Sequence, residues 1–130
     1  MVPILVVQGN VSVRKAVRSS LERAGYAVMV VGSVGEAAAR LRLLDYDVVV
    51  CNDRQRSTKW SEDYEQLLDA RHPPVRADAT HELHLPRAEL KTLGVLLMPG
   101  SDPAALQAAI EEALRVLSRE GAASSEAPRA

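Results

Sequence analysis

The sequence predicts a single α/β domain in which helices cover both faces of a parallel sheet. Short apolar runs rich in β-branched residues alternate with longer amphipathic segments, which is the order expected of repeated strand–helix–strand units. The clearest strand is the run from Asp45 to Asp53, because its apolar residues are unbroken until Asn52 and Asp53 end it. Chemistry in such sheets gathers beyond the carboxyl ends of the strands, so we expect function there.

The composition supports one globular domain and argues against several classes of partner. The 130 residues are 47% hydrophobic but only 3% aromatic, which suits an aliphatic core and disfavours a base-stacking surface. The net charge of -1 favours neither nucleic acid nor anionic membrane, and no apolar stretch approaches the roughly 20 residues of a membrane span. The single cysteine, Cys51, lies in an apolar run and indicates a small core residue. We expect a cytoplasmic protein without a cofactor.

Two strand–helix pairs are predicted before the central strand. Pro3–Val7 is an apolar run closed by turn residues, so it is predicted to be the first strand. Ser12 is expected to cap the amphipathic helix that follows, and Gly25 is expected to end it. Ala27–Val31 is predicted to be the second strand, and the alanine- and leucine-rich segment Val34–Leu44 the second helix.

The pattern is weaker after the central strand. The polar segment from Arg54 to Ser61 has no period and is expected to be a loop. Ser61–Ala70 is predicted to be a helix that ends before the two prolines that follow it. Val75–Ala79 is a poor strand candidate, and Pro86 is expected to start a short helix that ends near Leu93.

The last third of the chain gives clearer signals. Gly94–Met98 is predicted to be a buried strand, and Ala104–Leu117 to be a helix whose cap includes Asp102, with proline in the first turn. The small, polar residues near the end of the chain predict a disordered tail or the start of a linker. We therefore expect a domain over residues 1–119 and such a tail over residues 120–130.

Five sequence features resemble, in order and spacing, the receiver domain of two-component response regulators. They are Ile4-Leu5-Val6-Val7, Ser12-Val13-Arg14, Gly25-Tyr26-Ala27-Val28, Asp47-Val48-Val49-Val50, and the Met98-Pro99 step with Asp102. The resemblance covers roughly residues 3 to 118 and is poor between Arg54 and Glu89. It implies a flavodoxin-like (βα)5 fold, a doubly wound parallel sheet of order 2-1-3-4-5, here with a shortened or irregular fourth strand and helix.

The resemblance also implies that the phosphorylation pocket of the family is degenerate in this chain. The two acidic residues that bind a divalent cation in receivers fall on Gln8 and Gly9, so no metal site is expected. The phosphate-accepting aspartate falls on Asn52, whose amide is a far poorer nucleophile and cannot form the acyl phosphate. The neighbouring Asp53 is expected to be a solvated loop acid, since no carboxylate for magnesium accompanies it.

The remaining pocket positions also differ from the residues of the family. The family's lysine falls on Met98, and its hydroxyl residue falls near Ala79 or Thr80. Pro99 stands where receivers commonly hold a cis peptide, so we expect a cis bond there. Acids and base have disappeared together, as expected when a partly buried site must not retain unbalanced charge. The full set expected at the degenerate pocket is Gln8, Gly9, Asn52, Asp53, Ala79, Met98 and Pro99.

Three histidines and one tryptophan offer further possible sites. His72, His81 and His84 could suggest metal ligands, but with no cysteine nearby they are expected to be exposed loop histidines. Trp60 is the only tryptophan and stands beside the functional edge. Its indole could form a contact surface or lie buried under the loop, and the sequence favours neither.

Two classes of function follow from these residues. The first is a phosphorylation-independent signalling module, a pseudo-receiver that binds a protein partner or itself, with a homodimer as one form. By resemblance its interaction surface would include Val95, Leu97, Ala105 and Ala109. The alternative is a small flavodoxin-like domain that binds a ligand or nucleotide in the crevice at the carboxyl ends of its strands. An enzyme is not expected, because no nucleophile, base and orienting group occur together.

Overall fold

The computed structural model of the protein describes residues 1–52, 62–76, 81–98 and 102–126, with side chains up to residue 118. In these residues the chain is a mixed α/β fold with a mostly parallel sheet. The strands are β1 (Pro3–Val7), β2 (Ala27–Val31), β3 (Tyr46–Asn52), β4 (Val75–Arg76), β5 (Glu82–His84) and β6 (Thr92–Met98). The helices are α1 (Val11–Arg23), α2 (Val34–Leu41) and α3 (Pro103–Glu126), and a short helical stretch occupies residues 62–64.

Helix α1 has its N-cap two residues earlier than predicted and ends where the sequence predicts. Asn10, not Ser12, is the N-cap, because its side-chain oxygen accepts hydrogen bonds from the main-chain N–H groups of Ser12 and Val13. At the other end Gly25 takes a φ of 97°, the left-handed conformation that glycine adopts without strain. The N–H groups of Gly25 and Tyr26 then satisfy the last helical carbonyls, as in a Schellman motif.

Helix α2 is shorter than the segment predicted for it. Ser33 caps it by accepting from the N–H of Glu36 at 3.2 Å, and the Glu36 carboxylate reaches back to the N–H of Gly32 at 2.8 Å. The helix ends at Leu41, and the N–H of Leu44 bonds to the carbonyl of Arg40 in a closing turn. This turn brings the chain round to the start of β3.

The sheet order differs from the one that the receiver resemblance implies. The order is β2-β1-β3-β6-β5-β4. Strands β2, β1, β3 and β6 are parallel, whereas β5 and β4 run antiparallel at one edge. With the two-residue strand β4 set aside, the order along the chain is 2-1-3-5-4, so the expected 2-1-3-4-5 is wrong. The last strand pairs directly with β3, from Tyr46 opposite Thr92 to Asn52 opposite Met98, and so takes the place of the expected fourth strand.

The two weak helix predictions in the middle of the chain are also wrong. Of the residues described in the first, 62–70, only 62–64 are helical, and the segment predicted as the second forms a turn before Thr92 and Leu93 enter β6. The reason is that the two segments bond to each other. The N–H of Asp69 donates to the carbonyl of Leu85 at 2.9 Å, and the N–H of Arg87 donates to the carbonyl of Leu67 at 2.8 Å. Amides used in this way cannot also form the bonds of a helix.

The hydrophobic core lies on both faces of the sheet. One face packs against α1 and α3 and includes Ile4, Val6, Val17, Leu21, Val48, Val50, Leu83, Leu96, Met98, Leu106, Ile110 and Leu117. The other packs against α2 and the segment after residue 62 and includes Leu5, Val34, Ala38, Leu41, Val49, Cys51, Tyr64, Leu67, Leu90, Val95 and Leu97. Alternate strand residues thus enter opposite faces, which is the pattern of a sheet covered on both sides.

Helix α3 extends further than its predicted end at Leu117. Asp102 caps it, since its carboxylate accepts from the N–H of Ala105 at 3.1 Å and its carbonyl accepts from the N–H of Leu106 at 2.9 Å. The backbone stays helical to Glu126, which lies within the segment expected to be a tail. In the described residues, none of the helices combines the length and the apolar character needed to cross a membrane.

Candidate functional site

The crevice at the carboxyl edge of the parallel strands is built from three strand ends. Val7 at the end of β1 is in register with Cys51, and Asn52 at the end of β3 is in register with Met98 at the end of β6. Because the carboxyl ends of parallel strands meet at one edge, Gln8, Asn52 and Met98 stand in one row. Asp53, Ala79 and Pro99, which the sequence also assigns to this site, lie outside the described residues, as does Trp60. The expected cis bond at Pro99 therefore stays a prediction.

Gln8 holds the loop between β1 and α1. Its side chain is 9% exposed, and its amide oxygen accepts from the N–H of Asn10 at 3.0 Å. Its main-chain N–H bonds to Val31 at the end of β2, and its carbonyl accepts from Nε of Arg14 at 2.7 Å. A neutral amide that donates and accepts suits such a position. Gln8 therefore shapes the crevice wall and supplies no carboxylate to it.

Gly9 is exposed and is not required by a close contact. A Cβ built on it would lie 3.7 Å from the carbonyl oxygen of Gly32, an ordinary van der Waals distance. A Cβ therefore fits at this exposed position without a clash. This freedom makes Gly9 a suitable place to test the effect of restoring a carboxylate.

Tyr64 closes over the end of β3 from the segment after residue 62. Its ring is 5% exposed, and its hydroxyl donates to the carbonyl oxygen of Asn52 at 3.0 Å. The same hydroxyl interacts with the thiol of Cys51. Burial raises the pKa of that thiol to about 12, although the hydrogen bond between the thiol and Tyr64 acts in the opposite direction. Cys51 is therefore an inert core thiol, and Tyr64 ties the covering segment to the crevice.

Met98 belongs to the core and not to the crevice opening. It is 5% exposed and packs with residues such as Val50 and Leu106 on the face covered by α1 and α3. The position that the resemblance aligns with a catalytic lysine therefore has an apolar environment. A lysine there would have to place its ammonium among aliphatic side chains, which costs several kcal/mol in general.

Among the described residues Arg14 brings a cation to this edge, and the sequence did not identify it as a site residue. One of its terminal nitrogens lies 2.6 Å from the place where a Cβ on Gly32 would stand, so the guanidinium rests on the backbone just after β2. The Glu36 carboxylate lies 3.7 Å from the same point. Only glycine leaves room for this arrangement. The arginine and the carboxylate connect α1, the end of β2 and α2, which identifies them as organising residues of the edge.

The proposed interaction surface is largely buried. Val95 and Leu97 are 0% and 1% exposed, and Ala109 is 5% exposed, so these three side chains are core residues and cannot meet a partner. The physical reason is that β6 is flanked by β3 and β5 and covered on both faces. Ala105 is exposed on the first turn of α3 and is the one residue of the set that a partner could contact.

Two of the histidines expected in exposed loops are buried or partly buried, one just before β5 and one within it. His81 is 6% exposed, with its Nε2 3.9 Å from a carboxylate oxygen of Glu112 on α3. His84 lies in β5 and its Nε2 is 3.0 Å from a carboxylate oxygen of Glu82. The expectation of exposure is therefore wrong for both. In the described ranges no group of three or more potential metal ligands comes together.

A second polar site lies beside the segment that follows Tyr64. Asp69 accepts hydrogen bonds from the side chain and the main-chain N–H of Arg71, and from Nδ1 of His72 at 2.9 Å. The hydrogen bonds from Arg71 hold the pKa of the Asp69 carboxyl well below its usual 3.8. A cavity of about 440 Å³ opens here, and its wall includes Arg87, whose guanidinium is 3.0 Å from a carboxylate oxygen of Glu89. Acidic and basic side chains both line this cavity, so the charge of its wall is largely compensated.

Comparisons of the chain with protein-family models, with curated proteins and with solved structures found no match.

Proposed function

We propose that the chain is a receiver-like regulatory module that acts through protein contacts and does not use phosphorylation. The observation that carries this proposal is the environment of Asn52 at the end of β3. Its side chain is an amide, and Tyr64 donates to its main-chain carbonyl, so the covering segment is anchored at the position of the acceptor. An amide nitrogen shares its lone pair with the carbonyl and does not attack a phosphoryl group as a carboxylate does.

The other positions of the crevice support the same proposal. Gln8 uses its amide to hold the backbone of Asn10, and Gly9 brings no side chain, so neither offers an oxygen anion to a divalent cation. Met98 lies in the core and has no charge for a phosphoryl oxygen. A domain that retains the parallel strands but carries neutral groups at these places is suited to recognition by shape and not to group transfer.

Phosphodonor treatment tests the chemical half of the proposal. The chain is incubated with acetyl phosphate and magnesium, and the intact mass is measured. We expect no phosphate adduct on the wild type or on Asn52→Asp, because one carboxylate is not a metal site. The matched positive variant is the triple change Gln8→Asp, Gly9→Asp and Asn52→Asp, which leaves the buried Met98 in place. Tryptophan fluorescence or calorimetry measures magnesium binding. We expect the triple variant to bind magnesium and each single variant to bind it weakly or not at all.

A stable adduct on the wild type would contradict the proposal and would point to Asp53 or another acid as acceptor. The interaction half is tested by capture from a native extract on the immobilised chain, with and without acetyl phosphate. We expect the same protein to be retained in both conditions. Saturable binding of a small ligand, with no retained protein, would support the alternative of a ligand-binding domain instead.

A further inference from the structure

The two edges of the sheet are built differently. The edge strand β4 has only two residues, follows Pro73 and Pro74, and ends in Arg76. Short length, proline and charge are the usual means by which proteins keep an edge strand from pairing with another chain. The opposite edge strand, β2, consists of Ala-Val-Met-Val-Val and has none of these features. One edge is therefore protected and the other is open.

The hydrogen-bond register shows which groups β2 presents outward. Gln8 donates to the carbonyl of Val31, and Ala27 donates to the carbonyl of Val2, both at 2.9 Å. Ala27, Met29 and Val31 therefore turn their main-chain groups toward β1, and the alternate residues Val28 and Val30 turn theirs away from it. In the part of the chain that the structure describes, no strand pairs with this outer side.

We propose that β2 pairs with β2 of a second copy of this chain, antiparallel and about a two-fold axis at Met29. In this register Val28 faces the partner's Val30, and because both turn their main-chain groups outward, the pair exchanges two hydrogen bonds. The symmetric pair on the other side of the axis does the same. Met29 faces its own copy as a pair without hydrogen bonds, in which side chains approach more closely.

Three observations favour a second copy over an unrelated peptide. The side chains that meet are Val with Val and Met with Met, so the edge is complementary to itself and carries no charge that would select a basic or acidic segment. A cavity of about 310 Å³ beside Ala27, Val28 and Leu44, whose wall is mostly apolar and includes one acid, Asp45, extends past the strand. Pairing of the β2 edges also leaves only the protected β4 edges at the ends of the joined sheet, so assembly stops at a closed dimer.

This dimer uses neither the carboxyl crevice nor Ala105, so it stands or falls independently of the proposed function. An interface based on one strand is small and therefore weak. Helix α1, which packs on β2, carries four basic residues against one acidic residue, and the two copies of α1 would lie on the same side of the joined sheet. Salt should therefore strengthen the pairing by screening their repulsion, and the measurements belong at about 0.15 M salt or above.

Sedimentation equilibrium up to about 1 mM protein provides the first test. We expect the average mass of the wild type to rise toward that of a dimer. Val30→Pro removes an outward N–H but no bond to β1, and proline is tolerated at such positions of edge strands. We expect this variant to keep its circular dichroism spectrum and to remain a monomer. The matched control is Val75→Lys on the opposite edge, which should dimerise like the wild type.

Disulfide trapping provides the second test and does not depend on a proline. In a Cys51→Ala background, Met29→Cys places two thiols across the axis at a Cα separation of about 4.5 Å, which a disulfide can span. We expect Met29→Cys to form a covalent dimer on mild oxidation and Val75→Cys to stay largely monomeric. A wild type that is monomeric throughout, a folded Val30→Pro variant that dimerises unchanged, or a Met29→Cys variant that does not cross-link would each overturn the proposal. If Val30→Pro unfolds, the cross-linking result decides.

Discussion

The hydroxyl of Tyr64 donates a hydrogen bond to the main-chain carbonyl of Asn52, with 3.0 Å between the two oxygens. This bond joins the segment after residue 62 to the last residue of β3, where chemistry would occur in a sheet of this kind. The ring of Tyr64 is buried against the core that also contains Leu67 and Leu97. The covering segment is therefore held by both packing and a polar contact. The following substitutions test this contact, the burial of Cys51, the hydrogen bonds of Asp69 and the turn at Gly25.

Tyr64→Phe should destabilise the chain by about 1 kcal/mol, because it leaves the packing intact and removes the hydroxyl from a partly buried carbonyl and a buried thiol. Urea unfolding measures the change in the free energy of unfolding. Tyr26→Phe is the matched control, since it removes a phenolic hydroxyl at a half-buried position away from the crevice. Equal stabilities for Tyr64→Phe and the wild type would show that the hydroxyl does not hold the segment.

Cys51 should be unreactive in the folded chain. Burial raises the pKa of its thiol from 9.0 to about 12, so almost no thiolate is present near neutral pH and reagents cannot reach it. A thiol reagent should therefore modify the chain only as fast as it unfolds, and fully in denaturant. Fast modification of the native chain would contradict the buried placement.

The same shift predicts a loss of stability at high pH. Between about pH 9 and pH 12 the unfolded chain loses the Cys51 proton while the folded chain keeps it, so the free energy of unfolding falls as the pH rises through this range. Below pH 9 the contribution is constant. The Cys51→Ala variant lacks this component, so the difference in stability between it and the wild type should change above pH 9 and not below. A constant difference over the whole range would argue against the shift.

Asp69 should stabilise the chain at neutral pH and lose this effect in acid. Hydrogen bonds from Arg71 hold its pKa below the usual 3.8, so the folded chain keeps the carboxylate when the unfolded chain takes up a proton. The stability difference between the wild type and Asp69→Asn should therefore be full above pH 4 and shrink as the pH falls below 3.8. The control is Glu22→Gln, which breaks the exposed pair with Arg18 and should change stability little at any pH.

Gly25→Ala should destabilise the chain by about 1 kcal/mol, because its φ of 97° is strained for any residue with a Cβ. Thermal or urea unfolding measures the cost. The control is Gly35→Ala in the first turn of α2, where the nearest atom to a new Cβ is the Ser33 hydroxyl at 3.9 Å. There the better helix propensity of alanine should raise stability, by up to about 1 kcal/mol. If both substitutions changed the free energy of unfolding in the same direction, backbone conformation at Gly25 would not be the cause of its effect.

The first half of the fold could be predicted because its signals are local. Strands β1 and β2 have the predicted bounds, and Gly25 ends α1 as predicted. Each prediction rests on a few neighbouring residues, such as a β-branched run or a glycine that can take a positive φ. The cap of α1 was misplaced by two residues, because Asn10 and Ser12 are both good caps and only the backbone path after Gln8 selects between them.

The sheet order and the buried surfaces could not be predicted, because they depend on which strands pair with each other. Glu82-Leu83-His84 contains one leucine between two polar residues and gives no strand signal, yet it forms β5 because the free edge of β6 satisfies its main-chain groups. That pairing buries His81, which was expected in an exposed loop, and encloses Val95 and Leu97, which the resemblance had assigned to an interaction surface.

By itself the amino-acid sequence determined that this protein is built from mostly parallel strands and covering helices, that Asn52 and Met98 end two of the strands, and that Gln8 follows a third. Local preference and hydrophobic period are sufficient for this, since both act within a few residues. Only the tertiary structure decided that β6 lies beside β3, that Tyr64 bonds to Asn52, and that β2 is left as an open edge. These depend on contacts between segments that are distant in the sequence. Such contacts form where main-chain hydrogen bonding and the burial of apolar side chains are satisfied at the same time.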